Sequence, residues 1–137
     1  MMIRRPMRKK GSRGFTLIEL MIVISIILIL MAVAIPNYQQ SVLHARESVL
    51  RQDLYVIRSA IDQYTLDKQK APQSLQDLTS ANYLKEIPED PMTRSRDTWE
   101  TVQEDTLMAI DQQQPGIVDV HSGSQQASSD GSAYNTW

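Results

Sequence analysis

The sequence of 137 residues contains no cysteine, and this absence removes several kinds of chemistry at once. Without thiols the chain can form no disulfide, carry no thiolate nucleophile and build no cysteine-ligated zinc site. Only two histidines are present, His44 and His121, and they lie far apart in the chain. Gly-rich phosphate loops and HExxH metal motifs are missing as well. We therefore predict no catalytic residues and no enzymatic activity.

Acidic residues are absent from the first 14 positions. That segment holds six of the 14 basic residues and none of the 16 acidic ones, so eight basic residues remain against 16 acidic residues beyond it. An acidic balance argues against nucleic-acid binding, which favours basic patches. By the positive-inside rule, the basic segment predicts a cytoplasmic N-terminus, with the following chain across a membrane. Its basic residues are Arg4, Arg5, Arg8, Lys9, Lys10 and Arg13.

A long apolar run follows the basic segment and organises the rest of the chain. From Leu20 to Ile35 every residue except Ser25 is apolar. Counted from Phe15, the run would form a helix of roughly 31 Å, which is enough to cross a bilayer core. Glu19 does not fit a plain membrane span, because a carboxylate there costs a few kcal/mol. It is therefore a functional candidate.

The segment Gly14-Phe15-Thr16-Leu17-Ile18-Glu19-Leu20 resembles the class III signal of type IV pilins and type II secretion pseudopilins. An ordinary secretory signal would be cut after the apolar run, whereas here the change from basic to apolar residues, at Gly14-Phe15, lies before the run. The resemblance implies that a prepilin peptidase cuts after Gly14 and N-methylates Phe15. Glu19 and Pro36 match the fifth and twenty-second mature positions of that family, which implies roles in assembly. A plain signal anchor is the alternative.

The first helix is expected to continue beyond the membrane to about residue 68. Apolar residues from Leu43 to Tyr64 recur at spacings of three, four or seven, which predicts that one helix face forms a wall of the core. Pro36 lies inside this helix and removes one backbone hydrogen bond, so we expect a kink there. The predicted regions are a cleaved leader (1–14), a transmembrane and filament-core helix (15–36) and a periplasmic globular domain (37–137).

The remaining chain predicts short elements and a polar loop. Ser74 and Asp77 have the spacing of a capping box, which predicts a short helix over residues 72–80. Alternating residues predict strands. With the resemblance, we predict an α+β, pilin-like fold in which the long helix packs on a small antiparallel sheet of about three strands. The predicted strands are 98–102, 106–110 and 117–120, and residues 121–136 are predicted to form a loop.

Two later segments extend the resemblance. Residues 83–91 are similar to the family stretch YLKxLPxDPW, although Met92 stands where an aromatic residue is usual. Residues 118–124 and the final Trp137 are similar to the IDVxSxG segment and closing tryptophan of major pseudopilins. These segments favour the G-type major pseudopilin over a type IV pilin. We interpret Glu89 and Asp90, which lie between prolines, as a solvated turn.

The C-terminal loop is the candidate metal site. G-type pseudopilins bind calcium there through a run of aspartates, and this loop lacks that run. Calcium takes six to eight oxygen ligands, and Asp130 and Ser124 are the candidate ligands here. The alternative is a metal-free loop held by Tyr134 and Trp137.

The resemblance implies a structural subunit of a helical filament, the pseudopilus of a type II-like secretion system. Its expected partners are copies of itself, minor pseudopilins, the prepilin peptidase, an inner-membrane assembly platform and membrane lipid, without nucleic acid. It would span the bacterial inner membrane once and then enter a periplasmic filament. Alternatives are a type IV major pilin in adhesion or motility and a membrane-anchored periplasmic binding domain. Glu19 is expected to pair with the Phe15 amine of its own or a neighbouring subunit, since an unpaired carboxylate is costly in lipid.

Overall fold

The computed structural model describes residues 2–3, 11, 14–104 and 115–137. The chain divides into two compact units, Met1–Gln39 and Gln40–Trp137. The predicted α+β, pilin-like arrangement is confirmed, with two strands in the described residues rather than three. The predicted strand 106–110 lies outside those residues. The elements are α1 (Leu17–Lys68), α2 (Leu75–Ser80), β1 (Glu100–Gln103), β2 (Ile117–His121) and a 3₁₀ turn (Tyr134–Thr136).

Helix α1 contains 52 residues and continues through Pro36, where the kink stays a prediction. It ends at Lys68, in agreement with the predicted end near residue 68. The residue that ends it is Gln69, which no sequence signal indicates. Gln69 adopts a φ of 56°, a left-handed conformation that closes many helices at their C-terminal end. Helix α2 begins at Leu75, three residues later than predicted. The Oδ2 atom of Asp77 accepts the N–H of Ser74 at 3.1 Å, which is one arm of the predicted capping box.

The core of the second unit forms on one face of α1, as the helical spacing predicts. Leu50, Leu54, Ile57 and Ile61 recur every three or four residues, and each is at most 2% exposed. They pack with apolar residues of the later segments. These include Leu75, Leu78, Leu84, Trp99, Ile117, Val120 and Tyr134.

Strands β1 and β2 form an antiparallel pair, with Thr101 opposite Val120. The register shifts between Val102 and Gln103, where the pairing is irregular. All of β1 is exposed, whereas Val120 on β2 is fully buried. Strand β2 therefore joins the sheet to the core and leads directly into the C-terminal loop.

Candidate functional sites in the helix and the C-terminal loop

Glu19 lies in the first turn of α1 and forms a capping box with Thr16. The Glu19 N–H donates to Thr16 Oγ1 at 3.2 Å, and the Thr16 N–H donates to Glu19 Oε2 at 3.4 Å. These contacts satisfy two backbone donors that a helix start would otherwise leave free. From sequence, Glu19 is predicted to pair with the Phe15 amine, although the Thr-x-x-Glu spacing is also the signature of a capping box. The carboxylate thus has a local structural contact as well.

The apolar part of α1 presents its side chains outward. Phe15 is 92% exposed and Ile18 is 67% exposed, and the large apolar residues through Ile35 are exposed as well. The hydroxyl of Ser25 donates to Met21 O at 2.7 Å, so this polar group is satisfied within the helix, as a lipid environment requires. By length and composition, α1 can cross a membrane. A helix that is apolar on all faces needs lipid or other apolar helices around it.

In the second unit, Arg58 of α1 connects the helix to β2 and to the end of the chain. Its Nε donates to Asp119 Oδ1 at 2.7 Å, and its terminal nitrogen donates to Val120 O at 2.9 Å and Trp137 O at 2.5 Å. Burial raises the pKa of Asp119, but the Val120 N–H and Arg58 outweigh that effect and lower it overall. His121 also contacts Trp137 O, with Nδ1 at 2.7 Å. We call these four residues the Arg58 cluster: Arg58, Asp119, His121 and Trp137. The cluster holds Trp137 in place after the C-terminal loop.

Asp90 corrects one sequence-based interpretation. We expected a solvated turn, but Asp90 is fully buried while Glu89 is exposed. Asp90 Oδ2 accepts the hydroxyl of Ser122 at 2.6 Å, and Oδ1 accepts the N–H of Met92 at 2.9 Å. The carboxylate tolerates burial because both oxygens receive hydrogen bonds. The two segments that carry the later resemblance, 83–91 and 118–124, therefore meet through this pair.

Glu47 is a buried carboxylate that the sequence analysis missed. It lies on α1 and is 3% exposed. Its Oε1 accepts the Ser129 N–H and the Tyr134 hydroxyl, both at 2.8 Å, and its Oε2 accepts the Ser129 hydroxyl at 2.6 Å. Burial raises the pKa of Glu47, but these hydrogen bonds outweigh it, so the pKa lies below its ordinary value. Glu47 thus joins the C-terminal loop to α1.

The candidate calcium ligands are engaged by the loop itself. Asp130 Oδ1 accepts the hydroxyls of Ser128 and Ser132 and the Ser132 N–H, which lower the pKa of Asp130 to about 2. Ser124 is buried, and its Oγ accepts the Gln126 N–H at 3.4 Å. Within residues 14–104 and 115–137, no three Asp, Glu or His side chains gather as a metal-binding group. One carboxylate that already accepts three donors does not fit a calcium ion, which needs six to eight oxygen ligands.

An open groove lies between α1 and the C-terminal loop, and its arginines are already engaged. The guanidinium of Arg51 stacks on the Trp137 ring at 4.5 Å from the centroid, and Arg58 binds the cluster described above. Tyr55 lies in the same groove and is mostly exposed. Both arginines of the groove are therefore engaged by contacts within the chain itself.

Comparison with known proteins identifies a sequence motif that covers the first part of α1 and the residues before it. Residues 9–35 match the family model described as the prokaryotic N-terminal methylation motif. The match covers the predicted cleavage position, Glu19 and the whole apolar run to Ile35. No solved structure matches the chain.

The similarity extends into the second unit. The chain is 33% identical over 101 residues to the type II secretion system core protein G of Klebsiella michiganensis, covering 62% of this chain and 71% of that protein. Core protein G of Pseudomonas aeruginosa is 32% identical over the same coverage. A type IV major fimbrial protein, FimA of Dichelobacter nodosus, is 42% identical over 76 residues, covering 56% of this chain, and the chain spans about half its length. The chain therefore belongs to the type IV pilin and type II secretion pseudopilin family.

Proposed function

We propose that this protein is a structural subunit of a helical filament, the pseudopilus of a type II-like secretion system. The observation that carries the proposal is the combination of the N-terminal methylation motif with similarity to core protein G that extends into the second unit. Relatives of both kinds are named as core or fimbrial proteins. The subunit therefore acts by packing with copies of itself rather than by catalysis.

The apolar half of α1 supports storage in the membrane followed by assembly. Its outward apolar side chains suit lipid before assembly and neighbouring apolar helices afterwards. We propose cleavage between Gly14 and Phe15 by a prepilin peptidase, followed by N-methylation of Phe15. Cleavage creates an amine four residues before Glu19. The N-terminus would lie in the cytoplasm and the second unit in the periplasm.

Glu19 would pair with that amine, either in its own subunit or in a neighbour. The contact from the Thr16 N–H to Glu19 Oε2 is long, at 3.4 Å. An ammonium donor would form a shorter and stronger charge-assisted bond, so exchanging one for the other is favourable. Pairing with a neighbour would set the axial stagger between subunits, because each carboxylate would then fix the position of the next chain.

Pro36 would be the point at which α1 loosens in the filament. Proline lacks the N–H that a helix interior uses, so the turns before it are the easiest to extend. We propose that residues 28–36 lose helical order on assembly, although α1 is continuous in the subunit. A filament density map with unbroken helix from residue 25 to residue 40 would contradict this proposal.

The second candidate function is that of a type IV major pilin, and it is favoured by the 42% identity to FimA. A deletion strain distinguishes the two. A pseudopilus subunit predicts loss of protein secretion with surface filaments unchanged, whereas a pilin predicts loss of surface filaments and of adhesion or motility. Complementation with the full-length chain must restore the lost property. Minor pseudopilins and an inner-membrane platform are proposed partners, and co-purification from the complemented strain tests them.

A further inference from the structure

The C-terminal loop is held by a carboxylate that lies outside the loop. Glu47 belongs to α1, is 3% exposed, and receives its three hydrogen bonds from Ser129 and Tyr134. A basic group also lies near Glu47, since His44 Nδ1 is 3.9 Å from Glu47 Oε2. The His44 side chain is 66% exposed. A buried carboxylate is costly unless donors surround it. The loop supplies those donors.

This arrangement reverses the electrostatics of a loop closed by calcium. A calcium ion gathers oxygen acceptors around a cation. Here an anion at Glu47 gathers an N–H and two hydroxyl donors. The loop's own carboxylate, Asp130, faces the hydroxyls of Ser128 and Ser132.

We propose that Glu47 holds the C-terminal loop on α1 in place of a metal ion, so that the loop folds without calcium. Arg58 and Arg51 support the same closure, because Arg58 binds the backbone oxygen of Trp137 and Arg51 stacks on its ring. The inference rests on contacts within the second unit and goes beyond the filament function.

The test uses the full-length protein in detergent micelles and the variant Glu47→Gln, which keeps the shape of the side chain and removes its charge. Glu89→Gln is the matched control, because Glu89 is exposed and undergoes the same chemical change. We expect the thermal midpoint of the wild type to be the same in millimolar calcium and in chelator. We expect Glu47→Gln to lower that midpoint by roughly 5–10 °C. Amide exchange at Ser129 should quicken by at least tenfold, with no change in Glu89→Gln.

Two results would overturn the proposal. One is a wild-type midpoint that rises with calcium, since mass action then shows a metal holding the folded state. The other is a Glu47→Gln loop that exchanges as slowly as the loop of Glu89→Gln. If Glu47→Gln does not fold, Tyr134→Phe keeps the ring and removes one donor to Glu47. Faster exchange in residues 128–137 of that variant supports the proposal, and unchanged exchange refutes it.

Discussion

Arg58 is the side chain whose loss should most weaken the attachment of β2 and Trp137 to α1. It binds Asp119 on β2 and the backbone oxygens of Val120 and Trp137. We consider Arg58→Met, which keeps an apolar stem of similar length and removes the planar group. Arg58→Lys keeps the charge but cannot reach three acceptors in one plane.

The expected loss follows from the exposure of each contact. Arg58 and Asp119 are 36% and 39% exposed, so solvent screens their ion pair and we assign it about 0.5 kcal/mol. The two hydrogen bonds to backbone oxygens are only partly buried, so we assign them about 1 kcal/mol each, the net value of an ordinary hydrogen bond. Arg58→Met should therefore lower the free energy of unfolding by about 2–3 kcal/mol. For a unit of about 100 residues, this lowers the thermal midpoint by roughly 10–20 °C.

Thermal unfolding followed by circular dichroism measures this effect. Arg46→Met is the matched control, because Arg46 is exposed on the same helix, and we expect it to shift the midpoint by less than about 2 °C. Arg58→Lys should lower the thermal midpoint by about half as much as Arg58→Met, because a single ammonium group replaces a guanidinium that makes three directed contacts. An Arg58→Met midpoint equal to that of Arg46→Met would refute the reasoning.

Three further predictions concern pH, packing and processing. Against the effect of burial, the hydrogen bonds from Ser129 and Tyr134 hold the pKa of Glu47 below its ordinary value of 4.5, so the ionised form stabilises the folded state above that pH. The difference in thermal midpoint between wild type and Glu47→Gln should therefore shrink as pH falls below that value. A difference that grows would contradict this prediction. Repeating the comparison in a His44→Gln background controls for the nearby histidine. In Gly123→Ala, a Cβ would lie 2.1 Å from Thr98 O, so we expect chemical denaturation to show a free energy of unfolding that is lower by about 1–3 kcal/mol. An unchanged denaturation midpoint would show that the close approach of residue 123 to the Thr98 backbone is not rigid. Intact mass of membrane-extracted protein should give a methylated species beginning at Phe15, and a leader retained in filaments would exclude cleavage there.

The helix and its buried face could be predicted from sequence because their signals are local. Apolar residues at helical spacing identified Leu50, Leu54 and Ile57, and all three are buried. The same spacing contained a signal that we missed. Between Leu43 and Leu50, the position on that face is Glu47. A carboxylate on an apolar face needs partners, but its donors lie more than 80 residues later, so sequence alone could not identify them.

Contacts between distant segments account for the other differences. Asp90 looked like a turn residue because its neighbours are prolines, yet it is buried through Ser122, which is 32 residues away. No sequence pattern indicates a partner for Arg58, yet it binds Asp119 on β2 and Trp137, which are 61 and 79 residues away. His121, the last residue of β2, contacts Trp137, whereas Ser122, the next residue, contacts Asp90.

The central claim is that the charge of Glu19 drives subunit assembly, and the capping box supplies the direct test. Glu19→Gln keeps an acceptor for the Thr16 N–H, because glutamine also serves in a capping box, and it removes the charge. Glu19→Leu removes both, and Glu19→Asp keeps the charge on a shorter side chain. Each variant is scored separately for membrane insertion, cleavage after Gly14 and filament yield. We predict that Glu19→Gln inserts and is cleaved normally but yields as few filaments as Glu19→Leu; wild-type filament yield from Glu19→Gln would contradict the claim and leave Glu19 as a helix cap.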